Sequence, residues 1–490
     1  SPAVPTLRAV VVVDNSAAHA HAHAHARPHS GFPALRDLGG GILTPYDTLL
    51  AASSSSLSLS SSRPVTPDAP LSADETANIQ FTSGTTSQPK AAMLSHTSVL
   101  NNGHLIAARM GLDPSDLIVC PPPLFHCFGC ILGLMATATT GAAILFPSPA
   151  FDPAATLRMV ADHRATGLYG VATMFVAELE LLPDLALPPD AFANLRKGIA
   201  AGSSVPESLM RRLFDVLGLR DLVICYGMTE TSPVSCMTSP RDDFARRTRT
   251  VGRAMPHTAL KVVAPGDRSR ILPRGERGEL AASGYLVMKG YFGDPERTAE
   301  DRVADPDHPG RVWMYTGDEA CMDDDGYVEI TGRIKDLIIR GGENIHPLEI
   351  ENCLFQHPGV KEVSVVGVPD ERHGEAVAAF VTPHHGVRTA GGDGVVEAGR
   401  ASPSPGAGAG GVVGDDEGGP GEGHGDRDGG SKVLGKRDVQ DWVRTNLSGH
   451  LVPKYVFWID EYPKTASGKI QKYKLRDLAK EMVITRPPPL

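Results

Sequence analysis

Between Phe81 and His96 the chain reads FTSGTTSQPKAAMLSH, a run of hydroxyls closed by a lysine. Polyphosphate oxygens need several donors at once. Thr82, Ser83, Thr85 and Thr86 supply hydroxyls, Gly84 exposes backbone N–H groups, and Lys90 adds a full positive charge. The composition is that of a phosphate clamp, although a Ser/Thr-rich turn would also account for it if it stood alone. It is not the GxxxxGK[ST] loop, because Pro89 precedes the lysine and no Ser or Thr follows it, which disfavours an ordinary P-loop kinase or ATPase. Four more motifs follow in order: YGMTE (Tyr226–Glu230), YTGD (Tyr315–Asp318), GRIKDLIIRGGEN (Gly332–Asn344) and PKTASGK (Pro463–Lys469).

The elements that must position these motifs are legible as alternating patterns. Short apolar runs at Gly141–Phe146, Leu168–Val171, Gly198–Ala201 and Asp221–Cys225 alternate with amphipathic stretches at Ala154–His163 and Thr173–Leu182. Strand and helix in alternation predict an α/β unit with a mostly parallel sheet. After about Val251, shorter strands and turn signals (APGD, PRGERGE, DDDGY) predict an antiparallel or barrel-like region. Past Arg333 a smaller α+β unit is expected, with helices at Pro347–His357, Lys436–Leu447 and from Tyr473, and strands at Val363–Val368 and Ala376–Pro383. The predicted organisation is therefore a large α/β domain over 1–334 and a smaller α+β domain over 335–490.

Composition sets outer limits. With 490 residues, 41% apolar and 21% charged, the chain can bury a large core. Its 47 basic and 57 acidic side chains leave a formal charge of -10, so no global positive field draws in nucleic acid or an anionic membrane. Seven cysteines with no CxxC pair read as reduced thiols. Cys127–Phe146 is uncharged and long enough to cross a bilayer, but Pro121–Pro123, Gly129, Gly133 and Gly141 interrupt it, predicting strand, loop, buried helix and strand. Three segments are foreign to a core: the His/Ala alternation His19–His29, the serine run Ser53–Ser62 and the Gly/Asp/Glu-rich Gly386–Ser431. The first two fall in a low-complexity insert over 15–62, and the third is expected to be a mobile surface loop. Arg8–Asp14 (RAVVVVD) reads as an interior strand, so the chain is expected to begin inside a domain, with any targeting segment outside it.

Taken together, the five motifs resemble the adenylate-forming superfamily of acyl-CoA synthetases, luciferases and peptide-synthetase adenylation domains. The match runs from about Phe81 to Leu475. PLFHCFG (Pro123–Gly129), YGVATMFV (Tyr169–Val176), VGRAMPH (Val251–His257) and SGKIQK (Ser467–Lys472) are most similar to medium-chain fatty acyl-CoA synthetases. The resemblance implies ATP, Mg²⁺ and coenzyme A, with small-molecule substrates, no nucleic-acid partner and an intracellular, cytoplasmic or mitochondrial setting. It also implies a two-step reaction: a carboxylate attacks the α-phosphorus of ATP and releases pyrophosphate, and the coenzyme A thiol then displaces AMP.

Carried onto this sequence, the resemblance gives each residue a role. Lys469 bridges the attacking carboxylate and the α-phosphate, while Thr82, Ser83, Gly84, Thr85, Thr86 and Lys90 hold the β and γ groups. Thr229 donates to the α-phosphate and Glu230 binds Mg²⁺. Asp318 accepts the ribose hydroxyls with Arg333 assisting, and adenine lies near Tyr226 and the Gly202-Ser203 turn. His126, Phe125 and Gly227 line the acyl pocket, although a core histidine would read the same way at His126. Lys335 is the hinge about which the small domain turns between steps, bringing Gly341, Gly342 and Glu343 towards the thiol path.

Taken singly, Asp318 and Glu230 read as solvated carboxylates, Arg333 as a surface ion-pair partner, Lys469 as a tail lysine and Gly341-Gly342 as a tight turn. Their joint order favours the functional reading. Two departures stand out. Ser87 occupies a position the family fills with Gly, and members carry a substantial section before the strand that here begins at Arg8, so an N-terminally incomplete large domain is expected. Two alternatives remain: an adenylating enzyme that loads a carrier protein, and a non-catalytic nucleotide-binding fragment.

Overall fold

The computed structural model describes residues 70–82, 89–202, 205–396, 433–465 and 468–484, with the short strands Val10–Val12 and Leu43–Pro45. Two compact units are present, residues 1–71 and 72–490. In the first, Val10–Val12 pairs in parallel with Leu43–Pro45. That second strand falls inside the stretch read as a low-complexity insert, and the apolar Ile42-Leu43 pair between polar flanks explains why composition alone hid it. The His/Ala and serine tracts lie outside the described residues.

The second unit is built on a seven-stranded sheet in the order Arg253–Ala254, Val234–Met237, Asp221–Gly227, Lys197–Ala201, Gly167–Gly170, Leu117–Val119, Ala143–Leu145. Its last five strands are parallel and its first two antiparallel. Successive residues face opposite sides, so both faces must be covered. Ile118, Tyr169, Ile199 and Val223 pack with Ile106 and Met110 of the helix His96–Met110. Val119, Leu168, Ala200 and Leu222 pack with Leu157 of the helix Pro153–His163, Phe175 of Ala172–Leu181 and Leu213 of Glu207–Leu217. The helix Pro153–His163 starts where it does because the Asp152 side chain accepts the Ala155 N–H and Pro153 opens its first turn.

The chain leaves Leu117–Val119 for one neighbour, Ala143–Leu145, and returns on the other side as Gly167–Gly170. Strand order reverses there. Open parallel sheets bind ligands in the crevice beyond the carboxyl ends of their strands at such a switch point. The loop with His126, the Val171 turn, the Gly202 turn and the Thr229-Glu230 turn all leave carboxyl ends of these strands.

Two more sheets flank this one. A six-stranded antiparallel sheet, centred on Arg277–Gly284 and Val312–Met322, occupies the region expected to be antiparallel or barrel-like. In it Asp318 lies directly opposite Arg333. A three-stranded sheet pairs Thr76–Thr82 with Lys90–Ser95 and the latter with Gly290–Tyr291, so Thr82 faces Lys90 and Tyr291 faces Ala92. The uncharged stretch forms a π-type helical segment Phe128–Met135, a helix Ala136–Thr140 and the strand Ala143–Leu145. Among the described residues no helix is long and apolar enough to cross a membrane.

From Ile338 onward the chain has its own sheet, in the order Glu343–Ile345, Ile338–Arg340, Gly374–Pro383, Tyr455–Ile459, Gly394–Val396, with Val360–Asp370 also on Gly374–Pro383. Alternation again splits its faces: Val377, Val381 and Val456 pack under the helices Pro347–Leu354 and Lys436–Asn446, and Ala378, Phe380 and Phe457 under Lys472–Ile484. The expected loop from Gly386 is ordered at its start. Arg388–Ala390 pairs with Val433–Gly435, and Gly394–Val396 with Tyr455–Ile459. Asp393 ties the segment down by accepting the Val456 N–H at 2.8 Å and pairing with Lys436 at 2.6 Å. These are contacts with distant residues, which local composition does not record.

Candidate active site

Lys469 is the centre of the arrangement. A small hairpin presents it: the Thr465 N–H donates to the Lys469 carbonyl at 2.8 Å, and the Lys469 N–H to the Thr465 hydroxyl at 3.2 Å. Its Cε comes within 3.7 Å of where a Cβ on Gly202 would stand, so the lysine lies against the carboxyl end of Lys197–Ala201. Gly202 has φ 86, a left-handed conformation that suits glycine. Burial first, and the Arg333 guanidinium second, hold the Lys469 pKa below its ordinary value, while Cys127, Asp318 and Glu230 oppose them. The ammonium therefore sits within electrostatic reach of both carboxylates that the sequence singles out.

Asp318 is anchored on two sides. The Tyr226 hydroxyl donates to its Oδ2 at 2.7 Å, and Arg333 Nε stands 3.2 Å from Oδ1. Burial raises its carboxyl pKa against the opposing pull of Arg333. An ionised carboxylate offers about four acceptor positions, so two remain after these contacts. That number suits a pair of vicinal hydroxyls.

Glu230 is buried, with 3% of its surface exposed, in the short turn Thr229–Thr231. Its Oε1 accepts the Tyr291 hydroxyl at 2.7 Å and stands 3.5 Å from Lys90 Nζ. Lys90 in turn donates to the Tyr291 oxygen at 2.7 Å and stands 3.5 Å from Asp301. Tyr291 thus links the phosphate-motif lysine to the motif glutamate. Among the described residues no group of three or more His, Cys, Asp or Glu could hold a metal ion by itself. A single carboxylate such as Glu230 fits Mg²⁺ that arrives on a polyphosphate, since Mg²⁺ commonly takes one or two protein carboxylates, phosphate oxygens and waters.

The remaining expected residues divide into groups. Thr82 ends its strand opposite Lys90, and its buried Oγ1 has no hydrogen-bond partner among the described residues, as a donor awaiting a ligand would. Ser83, Gly84, Thr85, Thr86 and Ser203 lie outside the described residues. Thr229 is buried with its hydroxyl 3.7 Å from Cys127 Sγ. His126 Nδ1 accepts the Phe128 N–H at 3.1 Å, so a proton at Nδ1 would face a donor. Burial, aided by Lys469, lowers its pKa to about 4, which keeps the ring neutral and suited to an apolar ligand. Gly227 permits a close crossing: a Cβ there would fall 1.8 Å from the Pro233 carbonyl oxygen.

Three further groups of expected residues lie at the surface. Phe125 is 67% exposed, in the loop that follows the buried Pro121 and Pro122. Gly341 and Gly342, at φ 62 and 88, form the two-residue turn between Ile338–Arg340 and Glu343–Ile345, where both positions need the left-handed region. Their contacts are with turns of the same C-terminal part, the Gly341 N–H donating to the His373 carbonyl at 2.7 Å and Glu343 standing 3.7 Å from His450 in the turn Gly449–Leu451. Lys335 is exposed in the turn Ile334–Asp336 between the two sheet systems. Sequence reasoning passed over Tyr291, Asp301 and Cys127. Only the register Tyr291↔Ala92 brings Tyr291 beside Lys90, and nothing in its local sequence signals that.

Comparison with known proteins agrees with this geometry. The AMP-binding enzyme family model matches residues 3–292, and the AMP-binding enzyme C-terminal domain matches 349–398. The chain is 42% identical over 422 residues to the acyl-CoA ligase SID4 of Ajellomyces capsulatus, covering 84% of this chain and 63% of the relative. It is 38% identical over 409 residues to the mitochondrial medium-chain acyl-CoA ligase ACSF2 of Danio rerio, covering 83% and 58%. The chain thus spans less than two thirds of the length of these relatives. The crystal structure of ATP-bound MatB from Rhodopseudomonas palustris superposes with TM-score 0.70 at 27% identity, covering 97% of this chain and 80% of that one. Half-clamps from separate sheets converging on one crevice, and matches over both parts of the chain, give one conclusion: the chain belongs to the AMP-binding enzyme family.

Proposed function

We propose that this chain activates a carboxylic acid with ATP and transfers the acyl group to coenzyme A. In the first step a carboxylate oxygen bonds to the α-phosphorus as the bond to the pyrophosphate oxygen breaks, giving acyl-AMP and pyrophosphate. In the second the coenzyme A sulfur, losing its proton, bonds to the acyl carbon and AMP leaves. The convergence of Lys469 with Asp318 and Glu230 carries the reading: a buried cation against the Gly202 turn feels the charge of both the ribose-type acceptor and the metal-type carboxylate.

Anions meet in the first step, so its transition state is stabilised by oriented positive charge more than by covalent help. Lys469 supplies that charge at the attacking carboxylate and α-phosphate, and Thr229 donates to the same phosphate. Lys90, held by Tyr291, and the Thr82 hydroxyl, unpartnered among the described residues, grip the departing groups with the Ser83–Thr86 segment. Glu230 would hold Mg²⁺, which supplies charge neutralisation on the phosphates. Asp318, steadied by Tyr226 and Arg333, accepts the ribose hydroxyls.

A lysine covering the α-phosphate obstructs the pantetheine arm, so residues 335–490 act as a domain that turns about Lys335 between the steps. That turn carries the Gly341-Gly342 loop to the thiol path. The acid is a fatty acid of medium length, a reading supported by the name of the ACSF2 relative and by a neutral His126 at the crevice. ATP and coenzyme A as substrates place the reaction inside the cell, in cytosol or mitochondrion. A panel measuring ATP-dependent consumption of coenzyme A, from acetate through long fatty acids to aryl acids, tests the assignment. Highest kcat/KM with a medium-chain acid is expected, and a preference for aryl or dicarboxylic acids would overturn it.

A further inference from the structure

We propose that the helix Ala172–Leu181 is the rail on which the C-terminal part of the chain docks, and that Glu180 is a positioning residue for acid activation, acting through Lys361 and His384 to hold Lys469 over the nucleotide. The inference rests on the reading of Lys469 as the cation of the first step.

The rail is gripped at two points. At its start, a Cβ on Gly468 would lie 3.2 Å from Val171 Cγ2 and 3.4 Å from Thr173 Oγ1, so the lysine hairpin rests on the helix entry. The same Val171 lies, through Cγ1, 3.2 Å from the Cβ position of Gly202. Near its end, Glu180 Oε2 stands 2.6 Å from Lys361 Nζ and Oε1 3.4 Å from His384 Nδ1. Thr173 and Glu180 are about 10 Å apart along the helix at ~1.5 Å rise per residue.

Lys361 and His384 come from adjacent strand ends. Val360 pairs with Pro383, and the His384 N–H donates to the Gly359 carbonyl at 3.1 Å. They therefore move with the sheet that carries the Lys469 hairpin. Between the grips a cavity of about 210 Å³ separates Val176 and Ala177 from Tyr462 and Lys464. Because the cavity interrupts contact between the middle of the rail and the C-terminal part, the register of Lys469 depends on its two ends. A single contact would let the sheet pivot, whereas two fix it.

Every partner of Glu180 named here lies beyond Lys335, so a turn about Lys335 that withdraws Lys469 must break this grip. Its free energy serves the first half-reaction alone. That separates it from a general structural ion pair, whose loss would lower both.

The test uses the full chain with E180Q, K361E and the charge exchange E180K/K361E. Acid-dependent ATP–pyrophosphate exchange reads the first step, thioester formation from synthetic acyl-AMP and coenzyme A reads the second, and amide hydrogen exchange of residues 468–471 reads docking without activity. In E180Q, pyrophosphate exchange should fall roughly tenfold and thioester formation stay within about twofold, as loss of one partly buried charge pair predicts. The hairpin amides should exchange about fivefold faster at unchanged global stability. The charge exchange should recover most of the pyrophosphate exchange. Unchanged hairpin protection in E180Q, equal losses in both half-reactions, or no recovery in the double variant would overturn the inference. Absence of pyrophosphate exchange in the wild type, with hairpin protection still lost in E180Q, would strike the activity reading and leave the docking rail standing.

Discussion

Replacing Asp318 by Asn probes the proposed nucleotide site with the least change in shape. Asp318 accepts a 2.7 Å hydrogen bond from Tyr226 and faces Arg333 at 3.2 Å, so its carboxylate is already oriented before a ribose arrives. Hydrogen bonds to a charged acceptor contribute about 1.5–3 kcal/mol each, and an amide keeps one acceptor oxygen while turning an NH₂ towards either Arg333 or a ribose hydroxyl. Loss of one such bond raises the Kd for ATP by roughly 10- to 150-fold, at about 1.4 kcal/mol per decade. Equilibrium titration of the purified protein with Mg·ATP measures this directly, and urea unfolding of both proteins shows whether the fold is kept. Pyrophosphate binding is the internal control, since it has no ribose and should be unchanged.

The same substitution tests the electrostatics. Burial raises the Asp318 carboxyl pKa, so protonation on acidification begins at a higher pH than for an ordinary aspartate. ATP affinity of the wild type should therefore weaken over that range, while D318N, uncharged throughout, should show a flatter profile. An Asp318→Asn protein with ATP affinity within about twofold of wild type, or one that loses pyrophosphate binding equally, would refute the placement of ribose at this carboxylate.

Three other outcomes are expected. Lys469→Ala should lower ATP–pyrophosphate exchange by about 10²–10³-fold, the scale of losing one preorganised charge at a transition state, yet largely spare thioester formation from synthetic acyl-AMP; equal loss of both would count against a lysine that acts in one step only. Tyr291→Phe removes the hydroxyl shared by Lys90 and Glu230, and should weaken Mg·ATP binding and raise the Mg²⁺ concentration needed for half-saturation, while D318N leaves the Mg²⁺ requirement alone. Glu178 is fully buried with neither carboxyl oxygen hydrogen-bonded among the described residues, and burial raises its pKa well above the ordinary value. A raised carboxyl pKa means stability is lost as pH climbs above the unfolded value near 4.5, so Glu178→Met should stabilise the protein by about 1–3 kcal/mol in urea, and more at pH 8 than at pH 5.

Local order and chemical type were readable in the sequence because each is written in neighbouring residues. Short apolar runs mark the strands at Leu168 and Ile199, and the Ser/Thr-rich run with Lys90 marks the proposed phosphate clamp. Sheet order was not readable. The reversal at Leu117–Val119 and the antiparallel addition of Val234–Met237 depend on which strands pair, and that is settled by burial of both faces over long sequence separations. Tyr291 and Asp301 reach Lys90 only through the pairing of Gly290–Tyr291 with Lys90–Ser95, so no spacing rule identifies them. Glu180, Lys361 and His384 are ordinary charged residues in sequence and acquire meaning only where two sheet systems meet.

Attack by the carboxylate at the α-phosphorus is the proposed first bond change, and isotope transfer follows that bond. The protein is incubated with ATP, Mg²⁺ and a medium-chain acid labelled with ¹⁸O in its carboxylate, coenzyme A is added, and AMP and phosphates are analysed by mass spectrometry. One ¹⁸O in each AMP formed, with unlabelled pyrophosphate, is the predicted result. Acid-dependent consumption of ATP that puts the label in orthophosphate and yields ADP would contradict it.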